Sequence, residues 1–294
     1  MLLPTDLKEI EFHICSKAPD SSTTNGSKKI AALTNGNIKA PILLCLHGWL
    51  DNAASFEPLI PYLADFHVIA IDWTGHGLSS HRSDDAHYHF IDWVYDLVAL
   101  FESQQWKNIN IVGHSMGGII STAFSAAFPE YVKSLTLIDV LGFLTLSEEK
   151  TTEQLRKGML SRLSLNDKKI KHHPNIKSAV TARTAVSDLT LEHATLIVNR
   201  GIKSTSEGYQ WRSDHRLRAI SPMRLSLAQA KQIITDITVP VQLLYGNKGM
   251  NMVSSGLKVF GELFKSLKTY ELDGGHHVHM EQPEKLAKLI RDFI

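Results

Sequence analysis

Five short apolar runs punctuate the middle and end of the chain: Ile42 to Leu46, His67 to Ile71, Ile109 to Val112, Leu135 to Val140 and Val241 to Tyr245. They are rich in β-branched residues and hold few polar groups, as expected of strands covered on both faces of a parallel sheet. Ahead of them, Glu9 to Cys15 and Lys29 to Thr34 predict two further strands. The polar stretch Asp20 to Lys28 between them predicts a surface loop. Helical periodicity fills the gaps. Phe90 to Gln105 carries Ile91, Val94, Tyr95, Val98 and Phe101 on one stripe, and Ile119 to Phe128 is a second helix stopped by Pro129. Strand alternating with helix predicts right-handed crossovers and a mostly parallel, doubly wound α/β sheet.

The alternation breaks between about Gly142 and Asp236. This segment is helical by pattern, with Leu155, Met159, Leu160 and Leu163 on one stripe and a charged loop at Lys168 to His173. It predicts a helical cap over 143–236, inserted between a first core segment, 1–142, and a second, 237–294.

Gly113-His114-Ser115-Met116-Gly117 fits G-x-S-x-G. Chance alone yields on the order of 0.1 such matches in a chain of this length, so the context carries the argument. The motif follows the apolar run ending at Val112 and opens the helix of small residues. A serine on that turn projects its hydroxyl at a helix N-terminus, where unpaired N–H groups favour developing negative charge. His47-Gly48-Trp49 follows the strand Ile42 to Leu46. Backbone N–H groups of Trp49 and Met116 are the expected oxyanion donors, and Trp49 can serve as a packing aromatic at the same time.

The base is expected in Asp273-Gly-Gly-His-His-Val-His279, after the strand Lys268 to Leu272. His276, directly behind two glycines, is the first choice and His277 the alternative. Zinc ligation by His276, His277 and His279 would need acidic or cysteine partners, and no metal site is expected. His87-x-His89-x-x-Asp92 reads as solvated loop histidines. The triad acid lies between Ser and His in chain order. Gly246-Asn-Lys-Gly-Met-Asn251 contains no carboxylate, whereas Asp139 ends the strand Leu135 to Val140. Asp139 is therefore the expected orienter of His276, and Asp273 is too near in sequence to be a comfortable partner. Asp72 and His76, in Asp72-Trp-Thr-Gly-His-Gly-Leu-Ser79, read as scaffold.

Composition narrows the partners. The chain has 294 residues, 43% hydrophobic and 21% charged, with a formal net charge of +1. That balance gives no electrostatic case for nucleic acid. No apolar run approaches the roughly 20 residues that span a bilayer, and the N-terminus lacks the pattern of a signal peptide. The 2 cysteines, Cys15 and Cys45, make no disulfide framework. A reducing cytoplasm is the expected compartment; oligomeric state is not readable.

The four motifs HGW at 47–49, DWTGHGLSS at 72–80, VGHSMGG at 112–118 and GGHHVHMEQPE at 274–284 resemble, in that order, the α/β-hydrolase superfamily. IDVLGF at 138–143 and YQWRSDHRLRAISPMRLS at 209–226 look like its serine hydrolase-like subgroup. Many members carry their acid as G-x-x-D after the strand that corresponds to Val241 to Tyr245; here Gly249 stands at that place. Relatives with the acid after the earlier strand support Asp139. The resemblance implies an α/β-hydrolase fold and a cofactor-free serine hydrolase acting on an ester-like bond of a small molecule. A serine at 115 argues against dehalogenase and epoxide hydrolase chemistry, which use an aspartate. Carbon–carbon bond hydrolysis or acyl transfer by the same triad, and a non-catalytic ligand receptor on this scaffold, are the alternatives.

Overall fold

The apolar runs become the centre of a single large sheet. The protein is described by a computed structural model covering residues 7–15, 27–166 and 171–294. Its strands are β1 (Lys8–Cys15), β2 (Ser27–Thr34), β3 (Ile42–Leu46), β4 (His67–Ile71), β5 (Ile109–His114), β6 (Val132–Ile138), β7 (Ile202–Thr205), β8 (Gly208–Trp211), β9 (Val241–Gly246) and β10 (Leu267–Leu272). Eight of them form one sheet in the order β1-β2-β4-β3-β5-β6-β9-β10. From β4 to β10 every pairing is parallel, and β1 and β2 add an antiparallel edge. The surface loop expected at Asp20 to Lys28 and the charged loop at Lys168 to His173 lie partly outside the described residues.

Each central strand is covered on both sides, which explains its unbroken hydrophobicity. In β3, Leu44 and Leu46 face a core built with Phe101, Ile120 and Phe124, while Leu43 and Cys45 face Phe56, Leu286 and Ile290. The first layer is supplied mainly by α1 (Phe90–Gln104) and α2 (Met116–Ala127). Cys45 is fully buried in the second layer, where desolvation pushes its thiol well above its ordinary pKa.

Between β6 and β9 the chain forms α3 (Thr151–Asn166), α4 (Ile176–Thr184), α5 (Leu191–Gly201) and α6 (Leu227–Thr235). The segment also contains the antiparallel hairpin β7–β8, which the sequence pattern did not foretell. The hairpin strands have four residues each and are only half-buried in β8, too short and too wet to show an apolar run. Thr145 pairs with Leu225, so the segment leaves and rejoins the sheet layer at one place. Ala179, Val180, Ala194, Ile197 and Val198 give α4 and α5 their own small core. Chain end and sheet are joined by α7 (Asn251–Phe260), α8 (Val278–Glu281) and α9 (Pro283–Phe293).

The topology places the chemistry. From β3 the chain goes to β4 on one side and then to β5 on the other. At such a reversal the loops leaving the carboxyl ends of the strands diverge and open a crevice.

Candidate active site

The backbone at Ser115 is kinked into the left-handed region, φ 50° and ψ −117°. Such a conformation costs a non-glycine residue on the order of 1–3 kcal/mol. It persists because β5 is locked on one side and α2 on the other: the Ser115 N–H donates to the Ile138 carbonyl at 3.1 Å, and the Ser115 carbonyl accepts from Gly118 and Ile119. The flanking glycines are required by space. A Cβ on Gly117 would lie 2.1 Å from the Leu46 carbonyl oxygen, and one on Gly113 2.7 Å from the Gly118 Cα.

The loop after β3 lies directly alongside. A Cβ on Gly48 would come within 3.2 Å of the Ser115 Cβ. Two bonds hold this loop: Trp73 N–H donates to His47 Nε2 at 3.1 Å, and the Trp73 indole donates to the His47 carbonyl at 3.0 Å. Burial holds His47 down to about 4, so it stays neutral and can accept. Trp49 is thereby carried to the cavity wall, its indole donating to the Leu217 carbonyl at 3.1 Å. Met116 opens α2 directly after Ser115.

His276 sits in the loop after β10, and its Nδ1 pairs with Asp139 Oδ2 at 2.6 Å. Asp139 is fully buried and also accepts from the Gly246 and Met250 N–H groups. Like Ser115 it is a non-glycine residue at positive φ, 48°. The structure thus brings together two side chains 137 residues apart in sequence. It also shows what Gly249 does: a Cβ there would lie 2.2 Å from Asp139 Oδ1. The space beside position 249, where the G-x-x-D pattern would put an acid, is the space that the Asp139 carboxylate fills. Asp273 instead pairs with Lys248 at 2.9 Å on an exposed surface. Ser115, Trp49 and His276 line one cavity of about 670 Å³, a size suited to a small molecule.

His277, the alternative base, is otherwise engaged. Its Nδ1 meets Asp188 at 2.6 Å and its Nε2 meets Asp51 at 3.2 Å. Burial by itself would lower its pKa, but the two carboxylates outweigh burial and lift it to about 9. Asp51 is held well below the usual carboxylate range: burial opposes ionisation, and His277 and Arg183 overcome it. The ligand-type atoms of Asp51, His114 and His277 lie within 4.8 Å of one another. Both nitrogens of His277 face carboxylate oxygens, and Asp51 also meets Arg183, so charge pairing accounts for this cluster. The rings of His114 and His279 lie 4.4 Å apart and tilted, and both are held neutral, first through burial and then through neighbouring histidines. Sequence reasoning passed over Asp51, Arg183 and Asp188. No local motif marks them, because their partner His277 is 226 residues from Asp51 and 89 from Asp188.

The scaffold motif behaves as its residues suggest. Asp72, fully buried, accepts from the N–H groups of Ala53 and Leu78 and meets the Arg200 guanidinium of α5 at 2.9 Å. Burial brings His76 down to about 3, and it accepts from the Leu50 N–H at 3.2 Å. Asp92 caps α1 by accepting from the His89 N–H at 3.1 Å.

A family model described as alpha/beta hydrolase fold matches residues 41–283. The chain belongs to the α/β-hydrolase family. Within this family it falls with the serine hydrolase-like proteins. It is 32% identical over 269 residues to that of Danio rerio, covering 86% of this chain and 81% of the relative. It is 30% identical over 283 residues to serine hydrolase-like protein 2 of Homo sapiens, covering 90% of each. A solved neighbour, the hypothetical protein PA1622 from Pseudomonas aeruginosa PAO1, superposes with a TM-score of 0.87 at 32% identity. That match covers 96% of this chain and 98% of the neighbour. By family the chain is a hydrolase. Among the described residues, no helix of this hydrolase is long and apolar enough to cross a membrane.

Proposed function

We propose that this hydrolase cleaves ester-like bonds of small molecules through an acyl-enzyme on Ser115. The observation that carries the reading is the 2.6 Å bond from His276 to a buried Asp139, at the rim of the cavity where Ser115 stands on its kink. With Nδ1–H given to Asp139, Nε2 of His276 is the nitrogen free to act as base. It takes the Ser115 proton as Oγ attacks the carbonyl carbon. The oxyanion forms against the N–H groups of Trp49 and Met116, preorganised at a helix start and a fixed loop. Collapse expels the alcohol, which leaves with the proton from His276, and water drawn in by the same base releases the acid. The segment 143–236 caps the cavity through Arg183, Asp188, Trp211 and Arg218 and sets what fits.

No resident metal or cofactor is needed for this cycle. The test is covalent labelling by a fluorophosphonate together with turnover of short-chain p-nitrophenyl esters. The native protein labels once, at Ser115, and Ser115→Ala neither labels nor turns over. Its kcat falls by roughly four to six orders of magnitude. Full turnover by a folded Ser115→Ala refutes the assignment, and a scaffold that only binds its ligand leaves the probe unreacted.

A further inference from the structure

The charges around the cavity do not cancel. Asp51 and Asp188 are its two lining carboxylates, and both are spent internally, on Arg183 and the protonated His277. The Lys248 ammonium turns to Asp273. Two cations remain at the wall, Arg218 and Lys171. Among the described residues, neither has a carboxylate within ion-pair distance. Arg183 itself retains a buried Nε without a hydrogen-bond partner among those residues.

Arg218 is solvent-exposed but stands on a fixed segment of backbone. It ends a 3₁₀ turn, His215–Arg218, begun by Asp214. Asp214 is bonded to Tyr88 at 2.8 Å and its N–H to the Gly75 carbonyl at 2.8 Å. Arg216 donates to the carbonyls of Arg82, Ser83 and Ala86. The Trp49 indole grips the same turn at Leu217. The segment presenting Arg218 is therefore fastened both to the sheet domain and to the loop beside Ser115. The surrounding protein, and then the like charge of Arg183, hold the Arg218 guanidinium below its ordinary pKa. It remains a cation at any physiological pH. Cations gathered at a wall in excess of their carboxylates are stabilised by an oxyanion brought from outside, which a guanidinium can take in bidentate fashion. Leu50, Ala182, Val186 and Met250 complete the lining with apolar surface suited to a hydrocarbon segment.

We propose that Arg218, supported by Lys171 and Arg183, selects substrates that carry an oxyanion, a carboxylate or phosphate, at the end remote from the bond cleaved at Ser115. The proposal rests on the serine-hydrolase reading and narrows its substrate class. The p-nitrophenyl monoester of glutaric acid and p-nitrophenyl valerate offer similar reacting carbonyls with and without a terminal charge. The native protein is expected to favour the anionic ester in kcat/KM by about tenfold or more at low salt, with the preference shrinking as salt rises. Arg218→Gln lowers that ratio about tenfold, the scale of one charge-assisted hydrogen bond. Lys231→Gln, exposed on α6, leaves the ratio in place. No preference in the native protein, or a preference that Arg218→Gln does not move, overturns the proposal. If Ser115 fails to label with fluorophosphonate, the serine-hydrolase reading itself falls; if it labels without charge preference, only the oxyanion site does. Should labelling persist without turnover of either ester, protection decides. Glutarate or inorganic phosphate must slow labelling more than neutral glutaramide does, the stronger of the two naming the oxyanion, and equal protection overturns the proposal.

Discussion

At the scale of single residues, Asp139 and Gly249 are two halves of one arrangement. The carboxylate that meets His276 can come from the end of β6 because position 249, after β9, has no side chain: any Cβ there meets the carboxylate. Gly249→Ala is expected to displace Asp139 by about an ångström and to lower kcat on the order of 10²-fold while the protein stays folded. Asp139→Asn keeps the shape but offers Nδ1 the wrong partner, and should cost about 10⁴-fold in kcat. Steady-state kinetics on a p-nitrophenyl ester, beside circular dichroism, checks both. Near-native turnover by Asp139→Asn places the orienting acid elsewhere. The glycine that breaks the G-x-x-D pattern was legible in sequence as a missing acid; its steric role needed the neighbouring strand.

At the scale of elements, the inserted segment is fastened to the sheet by buried charge. Arg200 of α5 reaches Asp72 at the end of β4 and Glu9 of β1. Asp72 has no solvent exposure, so removing its cation leaves a carboxylate with only backbone N–H donors. Arg200→Ala is expected to destabilise the fold by about 3–5 kcal/mol, the usual cost of orphaning one member of a buried pair. Chemical denaturation reads this directly, and a loss below about 1 kcal/mol would show that water reaches Asp72 readily. The strands and long helices were legible because burial on both faces, or on one stripe, imposes a period on the sequence. The β7–β8 hairpin was not, since four half-wet residues per strand carry no period.

Across the whole molecule, His277 ties the final loop to the segment inserted between β6 and β9 through Asp188 and to the loop after β3 through Asp51. Its pKa is raised from an ordinary 6.5 to about 9 in the fold. The sign follows: the folded state binds this proton more tightly than the unfolded chain, so its stabilisation is full below about pH 6.5. It declines above that and is lost as pH rises through about 9. Thermal melts from pH 6 to 10 should show this decline. In Asp51→Asn, with the main charge partner gone, the decline moves to lower pH. A melting temperature of the native protein that stays flat across the range would contradict it.

What the sequence by itself determined is local. Buried strands declare themselves by unbroken apolar runs, the strand-to-helix turn by glycines around Ser115, and the histidine loop by the two glycines before His276. Each signal is written within a dozen residues. Only the tertiary structure decided which carboxylate meets which histidine, since Asp139–His276, Asp51–His277 and Asp188–His277 join residues far apart along the chain. Which of the described cations at the cavity wall meet a carboxylate was decided there too. Charge acts through space over a few ångströms, and sequence distance says nothing about which groups the fold will bring that close.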